Sequence, residues 1–136
     1  MWNKFMHSGQ GNVVKAMKVD FWNAGYARLE NELNQIKNII QVRKCHILFI
    51  GEANLWEGVD EEKVKIKGYK LQTCCMIKNV ERKCSRIVAY VKEFIKFKVI
   101  QELEDRNFSS IWMEVGLPTA ASSYWVVYIE SISILR

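Results

Sequence analysis

The stretch from Lys18 to Trp56 limits the fold more than any other part of the chain. It reads KVDFWNAG, then a helix-length amphipathic segment, then CHILFIGEANLW. Val19 to Trp22 and Ile47 to Ile50 are nearly continuous apolar runs, which suits strands covered on both faces of a parallel pair. Between them Leu29, Leu33, Ile36 and Ile40 recur at helical spacing and fall on one face. Glu30 and Glu32 lie in the first turn and Arg43 and Lys44 in the last, the polarity a helix dipole favours. A crossover between parallel strands is right-handed almost without exception, so both strands end on the same rim. Asn23 and Glu52, the polar residues at the two strand exits, therefore converge. That rim is where open α/β sheets bind their ligands.

Downstream, Glu57 to Glu62 reads as an acidic loop leading into a short helical turn, and Tyr69 to Cys75 as a strand followed by a charged turn at Lys78 to Lys83. Arg86 to Lys92 and Phe94 to Ile100 alternate as strands do, the latter with Ile95, Phe97 and Val99 opposite Lys96 and Lys98. Ile111, Met113, Val115 and Leu117 line one face of a further strand, Pro118 to Ser123 turn, and Trp125 to Ile129 return. The expected fold is α/β: a β-α-β unit followed by mostly antiparallel strands in a layered sheet. At 136 residues the chain has one core, assigned to residues 17–136, with residues 1–16 as a loose extension.

Charge is concentrated rather than spread. Residues 1–62, 63–106 and 107–136 carry net charges of −1, +7 and −1, so the whole excess of +5 is central. A clustered basic surface draws polyanions, and Lys78, Arg82, Lys83 and Arg86 are the residues expected to hold one. The competing reading is a solvated lysine face. No apolar stretch has signal-peptide or membrane-spanning length, which gives the expectation of an intracellular protein, nuclear or cytoplasmic, not secreted and not in a membrane. The four cysteines, at 45, 74, 75 and 84, lack Cys-x-x-Cys spacing and read as reduced thiols rather than a zinc site.

In order, WNAG, ILFIGEANLW, GYKLQTC, CSRIVAYVK, FSSIWMEVGLP and YWVVYIE resemble the amino-terminal half of the endonuclease domain of non-LTR (LINE-type) retrotransposon polyproteins. Those domains belong to the endonuclease/exonuclease/phosphatase superfamily, with DNase I. The resemblance implies a partial DNase I-like α/β sandwich. It implies Asn23, Glu52 and Tyr128 as catalytic residues, Glu52 and Asn23 at a Mg²⁺ or Mn²⁺ ion, and target-site nicking by phosphodiester hydrolysis, with DNA as the partner of the basic surface. Mg²⁺ prefers oxygen ligands and keeps several waters, so one glutamate can recruit it and a neighbouring amide can orient a phosphate oxygen.

Two departures accompany the likeness. Tyr128 is followed by Ile129, Glu130 and Ser131, where the family has arginine or a proline-containing turn, and the sequence stops at Arg136 before the family's Asp-x-Asn element and Asp-His pair. Weak metal binding and little or no cleavage by this chain alone are thus expected, together with self-association or a partner over an incomplete sandwich. The alternatives are a catalytically silent DNA-binding or protein-interaction module, and a relative of the lipid and inositol phosphatases. His7 and His46 read as structural, Trp22, Trp56, Trp112 and Trp125 as packing residues, and Asn23 also fits a turn before Gly25.

Overall fold

The computed structural model describes residues 3–7, 16–25, 27–78, 81–100, 109–116 and 124–131. Three strands make its spine: β2 (Ala16–Asn23), β3 (Ile47–Gly51) and β6 (Lys83–Lys92). β2 and β3 are parallel, pairing from Val19↔Ile47 to Asn23↔Gly51, and β6 runs antiparallel to β3. All five residues of β3 are buried, as a central strand with apolar neighbours on both faces requires. β1 (Asn3–His7), within the stretch expected to be a loose lead-in, pairs antiparallel with β2 and forms the sheet's outer edge. β4 (Leu55–Trp56) extends along β6 beyond β3, and β5 (Tyr69–Lys78) takes the other side of β6. The result is a mixed six-stranded sheet.

Between β2 and β3 lies α1 (Leu33–Arg43), the one α-helix among the described residues. It begins later than its apolar spacing suggests. Leu29–Asn31 form a separate 3-10 turn, and Glu32, at the junction, makes no side-chain cap. Without a Ser, Thr, Asp or Asn cap to satisfy the first amides, the chain tightens its opening turn instead. At the other end Lys44 takes a left-handed conformation (φ 54°) and its N–H closes on the Ile40 carbonyl at 2.7 Å.

The remaining strands β7 (Lys96–Val99), β8 (Ser109–Gly116) and β9 (Tyr124–Ser131) form a separate antiparallel sheet. Alternation along the spine strands sends each set of side chains to a different layer. Met17, Val19, Ile47, Phe49, Ile87, Ala89 and Val91 face the second sheet and meet Ile95, Ile111, Met113 and Val115 there. Leu48, Ile50, Val88 and Tyr90 face the other way, onto Leu29, Ile36 and Ile40 of the helical layer. The fold is therefore mixed α/β, mostly strand, with one helix on one face of the large sheet and a small sheet on the other. Two tyrosines tie loops to this frame: the Tyr90 hydroxyl donates to the Val64 carbonyl and the Tyr69 hydroxyl to the Cys45 carbonyl, each at 2.6 Å.

His46 pins the three spine strands together at the end remote from Asn23. Its N–H donates to the Lys18 carbonyl, its carbonyl accepts from Lys92 N–H, and its Nδ1 accepts from Lys18 N–H at 2.9 Å. Only a ring unprotonated at Nδ1 can accept that bond. Burial, followed by the charges of Lys92 and Lys18, holds the imidazole pKa below the ordinary 6.5. The folded state thus prefers neutral His46, and its contribution to stability is present above pH 6.5 and lost as pH falls from there through the lowered folded value. Unfolding free energies measured between about pH 7.5 and 5.5 should decline in the wild type and decline less in His46→Asn, which keeps an acceptor without titrating. Parallel profiles would remove His46 as the cause.

Candidate functional site

The register of the sheet itself builds the rim. The β3 ladder ends at Ile50↔Val88, and the β4 ladder starts at Leu55↔Ser85. Residues 51–54 therefore oppose only residues 86–87, four against two, and the surplus pair must leave the plane of the sheet. Bulges of this kind re-aim side chains and are common beside active sites. Here the bulge carries Glu52 (φ 52°) and Asn54 (φ 45°), both left-handed, and is anchored by Ala53 N–H donating to the Arg86 carbonyl at 2.8 Å. Left-handed backbone is tolerable for asparagine but costs glutamate on the order of 1 kcal/mol or more.

Glu52 stands out on two counts. The residue is nine-tenths buried (9 % exposed), and among the described residues no hydrogen bond or ion pair holds its carboxylate, whose oxygens are not fully buried. Strain and an unpaired carboxylate on one residue mark a position kept for something other than stability.

Asn23 sits beside it. Asn23 pairs in register with Gly51, the residue preceding Glu52, and Ala24 N–H donates to the Gly51 carbonyl at 2.9 Å. The strand-exit amide and carboxylate are thus neighbours on one rim. The Asn23 side chain also closes a local turn, its Oδ1 accepting from Gly25 N–H at 2.8 Å while Gly25 takes φ 64°. With the oxygen engaged, the remaining capacity of this exposed amide is its Nδ2 donors, which suit a phosphate oxygen better than a cation.

The other sequence candidates are distributed differently. Arg86 follows directly along β6, half-buried, opposite the bulge. Arg82 and Lys83 are exposed at the start of that strand. The Arg82 guanidinium lies 5.6 Å from the centre of the Trp56 ring and donates to the Glu57 carbonyl at 3.1 Å. Lys78 pairs with Lys83 through the backbone, and Tyr128 pairs with Trp112 in the second sheet; both side chains lie outside the described residues. The Pro118 turn and the charged stretch at 102–107 also lie outside them.

Sequence reasoning passed over a second buried acid. Asp20, 0 % exposed on β2, accepts from the Cys45 thiol through Oδ2 at 2.8 Å, while its Oδ1 has no partner. Burial, then the bond to Asp20, pushes the Cys45 pKa up to about 12, so the thiol keeps its proton and acts as a donor. A lone aspartate inside an apolar run was the available signal. Cys45 and Cys84 are free thiols, in keeping with the reduced-cysteine expectation.

Among the described residues no three His, Cys, Asp or Glu side chains gather as a metal-holding group, and no helix is long and apolar enough to cross a membrane. The oxygen ligand offered at the rim is the Glu52 carboxylate, with the Asn23 amide beside it. Compared with known proteins, the chain matches no family model, no curated protein and no solved structure.

Proposed function

We propose that this chain forms the metal- and phosphate-holding rim of a divalent-metal-dependent DNA endonuclease of the DNase I-like kind. The observation that carries the reading is Glu52, a nine-tenths-buried residue whose carboxylate has no protein partner among the described residues, set on a bulge beside Asn23. Its donor chemistry fits Mg²⁺ or Mn²⁺, which take carboxylate oxygen, retain waters and share substrate phosphate. When bound, the ion supplies Lewis-acid polarisation of a phosphoryl oxygen and a lowered pKa for a coordinated water. Glu52 supplies the anchoring charge in a site already partly dry. Asn23 Nδ2 donates to a nonbridging phosphate oxygen, orienting the ester without adding charge. Arg86 flanks the same bulge, and Arg82, on the same face of β6, continues the cationic track to a neighbouring phosphate, while Lys83 lies on the other face.

A second reading, DNA binding without cleavage, is favoured by the composition of this donor set. One carboxylate and one amide can hold a cation and a phosphate, whereas hydrolysis also needs a group to activate water and one to protonate the leaving oxygen.

Two measurements test the pair. Conversion of supercoiled plasmid to the nicked form with Mg²⁺, and not with EDTA, supports the endonuclease; its absence with DNA binding intact leaves the binding module. For binding, two phosphate contacts through Arg82 and Arg86 predict that log K falls with log salt at a slope of about −1.8. Arg86→Ala should lower that slope by about one unit, and a salt-independent affinity would remove the phosphate track altogether.

A further inference from the structure

Beyond the rim, a cleft of about 550 Å³ opens between β4, the Glu61–Lys63 turn and the first half of β5. Its apolar walls include Trp56, Tyr69, Val59 and Leu71, and its polar fringe carries Lys65, Lys70, Glu61, Glu62 and Thr73. The two aromatic walls are held in place. Tyr69 is fixed by the bond from its hydroxyl to the Cys45 carbonyl. Trp56 is fixed by pairing with Cys84 and by Arg82 against its ring. Trp56 lines the cleft and Arg82 does not, so the ring borders the cleft as well as the guanidinium.

We infer that this cleft receives an unpaired nucleobase, with Trp56 as its stacking platform. This rests on the nucleic-acid reading above and extends it to a preference for distorted or single-stranded sites. Three observations carry it. The cleft is large enough for a base and its sugar and is walled by aromatic and aliphatic groups, as sites for planar ligands are. Two lysines and two glutamates on its fringe leave no net charge there, which disfavours a free phosphate and suits a base edge that both donates and accepts hydrogen bonds. Lys65 and Glu62 already pair at 3.7 Å, so the fringe is largely self-neutralised.

The third observation is position. Trp56 pairs with Cys84, two residues along β6 from Arg86, or about 7 Å at the rise of a strand. That is close to one nucleotide step. A strand whose phosphates follow Arg86 and Arg82 runs beside the pair Trp56↔Cys84, within one or two nucleotides of Glu52. Every base has a π-face, so stacking on Trp56 would be tolerant of sequence and strong only where the base is free of its partner.

The test uses the full chain and two DNA duplexes that differ by a single unpaired 2-aminopurine. The wild type should bind the bulged duplex about tenfold more tightly than the paired one, and its fluorescence should be quenched on binding. Trp56→Leu should erase both differences while leaving affinity for paired duplex unchanged; Glu52→Gln should preserve them. Equal affinity of the wild type for both duplexes overturns the cleft while sparing the nucleic-acid reading. If neither duplex binds, the nucleic-acid reading fails, and adenosine titrated against the indole N–H resonances decides the cleft separately. A shift of the resonance that Trp56→Leu removes upholds it, and no shift overturns it.

Discussion

Replacing Glu52 by glycine should raise the melting temperature while removing Mg²⁺ binding and any nicking that depends on it. Both effects follow from the same two properties of the residue. Its φ of 52° costs a side chain on the order of 1 kcal/mol that glycine avoids, and its carboxylate, which no protein group among the described residues engages, is the charge a cation would need. Relieving the strain should stabilise the fold by about 1 kcal/mol, or several degrees for a domain of this size. Glu52→Gln separates the terms: it keeps the strained backbone and the shape but removes the charge, so its stability should change little. In the proposed site this carboxylate recruits the cation, so both variants should lose Mg²⁺ binding, measured by titration, and any nicking the wild type shows should fall at least about a hundredfold. A glycine variant that unfolds more readily would show that Glu52 is a structural residue. One that nicks at the wild-type rate would place the metal elsewhere.

Phe49→Ala should be the most damaging single truncation in the molecule. Phe49 is fully buried at the middle of β3, in the layer shared by the two sheets, where Met17, Val19, Ala89 and Ile111 belong to the same cluster. Deleting an aromatic ring from such a site removes its transfer free energy and leaves a cavity that two hydrogen-bonded sheets cannot collapse to fill, at a cost of about 3–5 kcal/mol. Against a typical total of about 5–15 kcal/mol, that loss leaves a large unfolded fraction at moderate denaturant. Phe97, partly buried on the edge strand β7, packs against the same cluster from outside, and Phe97→Ala should cost clearly less. Urea unfolding of both variants gives the ranking directly. Equal midpoints would mean that the small sheet does not share a core with the large one.

The β-α-β unit and the neighbourhood of Asn23 and Glu52 were legible in the sequence because each rests on local regularities. An apolar run bounded by polar residues declares a buried strand. Leucine and isoleucine at helical spacing declare the crossover, and the handedness of such crossovers sends both strand ends to one rim. What was not legible depends on pairings between residues far apart in the chain. Nothing in NKFMH marks an edge strand, because an edge strand needs only a partner with open hydrogen bonds, and β2 supplies them. Nothing local in GEANLW shows four residues set against two, because a bulge is a property of two strands and their registers together.

The same division runs through the site. The identity of Glu52 as a strand-exit carboxylate belongs to the sequence. That it is strained, buried and left without a partner emerges only once β4 rejoins β6 beyond the bulge. Trp56 illustrates the limit most clearly, since a tryptophan in an apolar stretch reads as packing. Only the tertiary structure sets Arg82 against its ring and opens a cleft beside it, because the positions of both depend on where β6 places its neighbours. Short-range periodicity determined which segments would be strands and helix; long-range registry decided which side chains were left exposed, unpaired and available for chemistry.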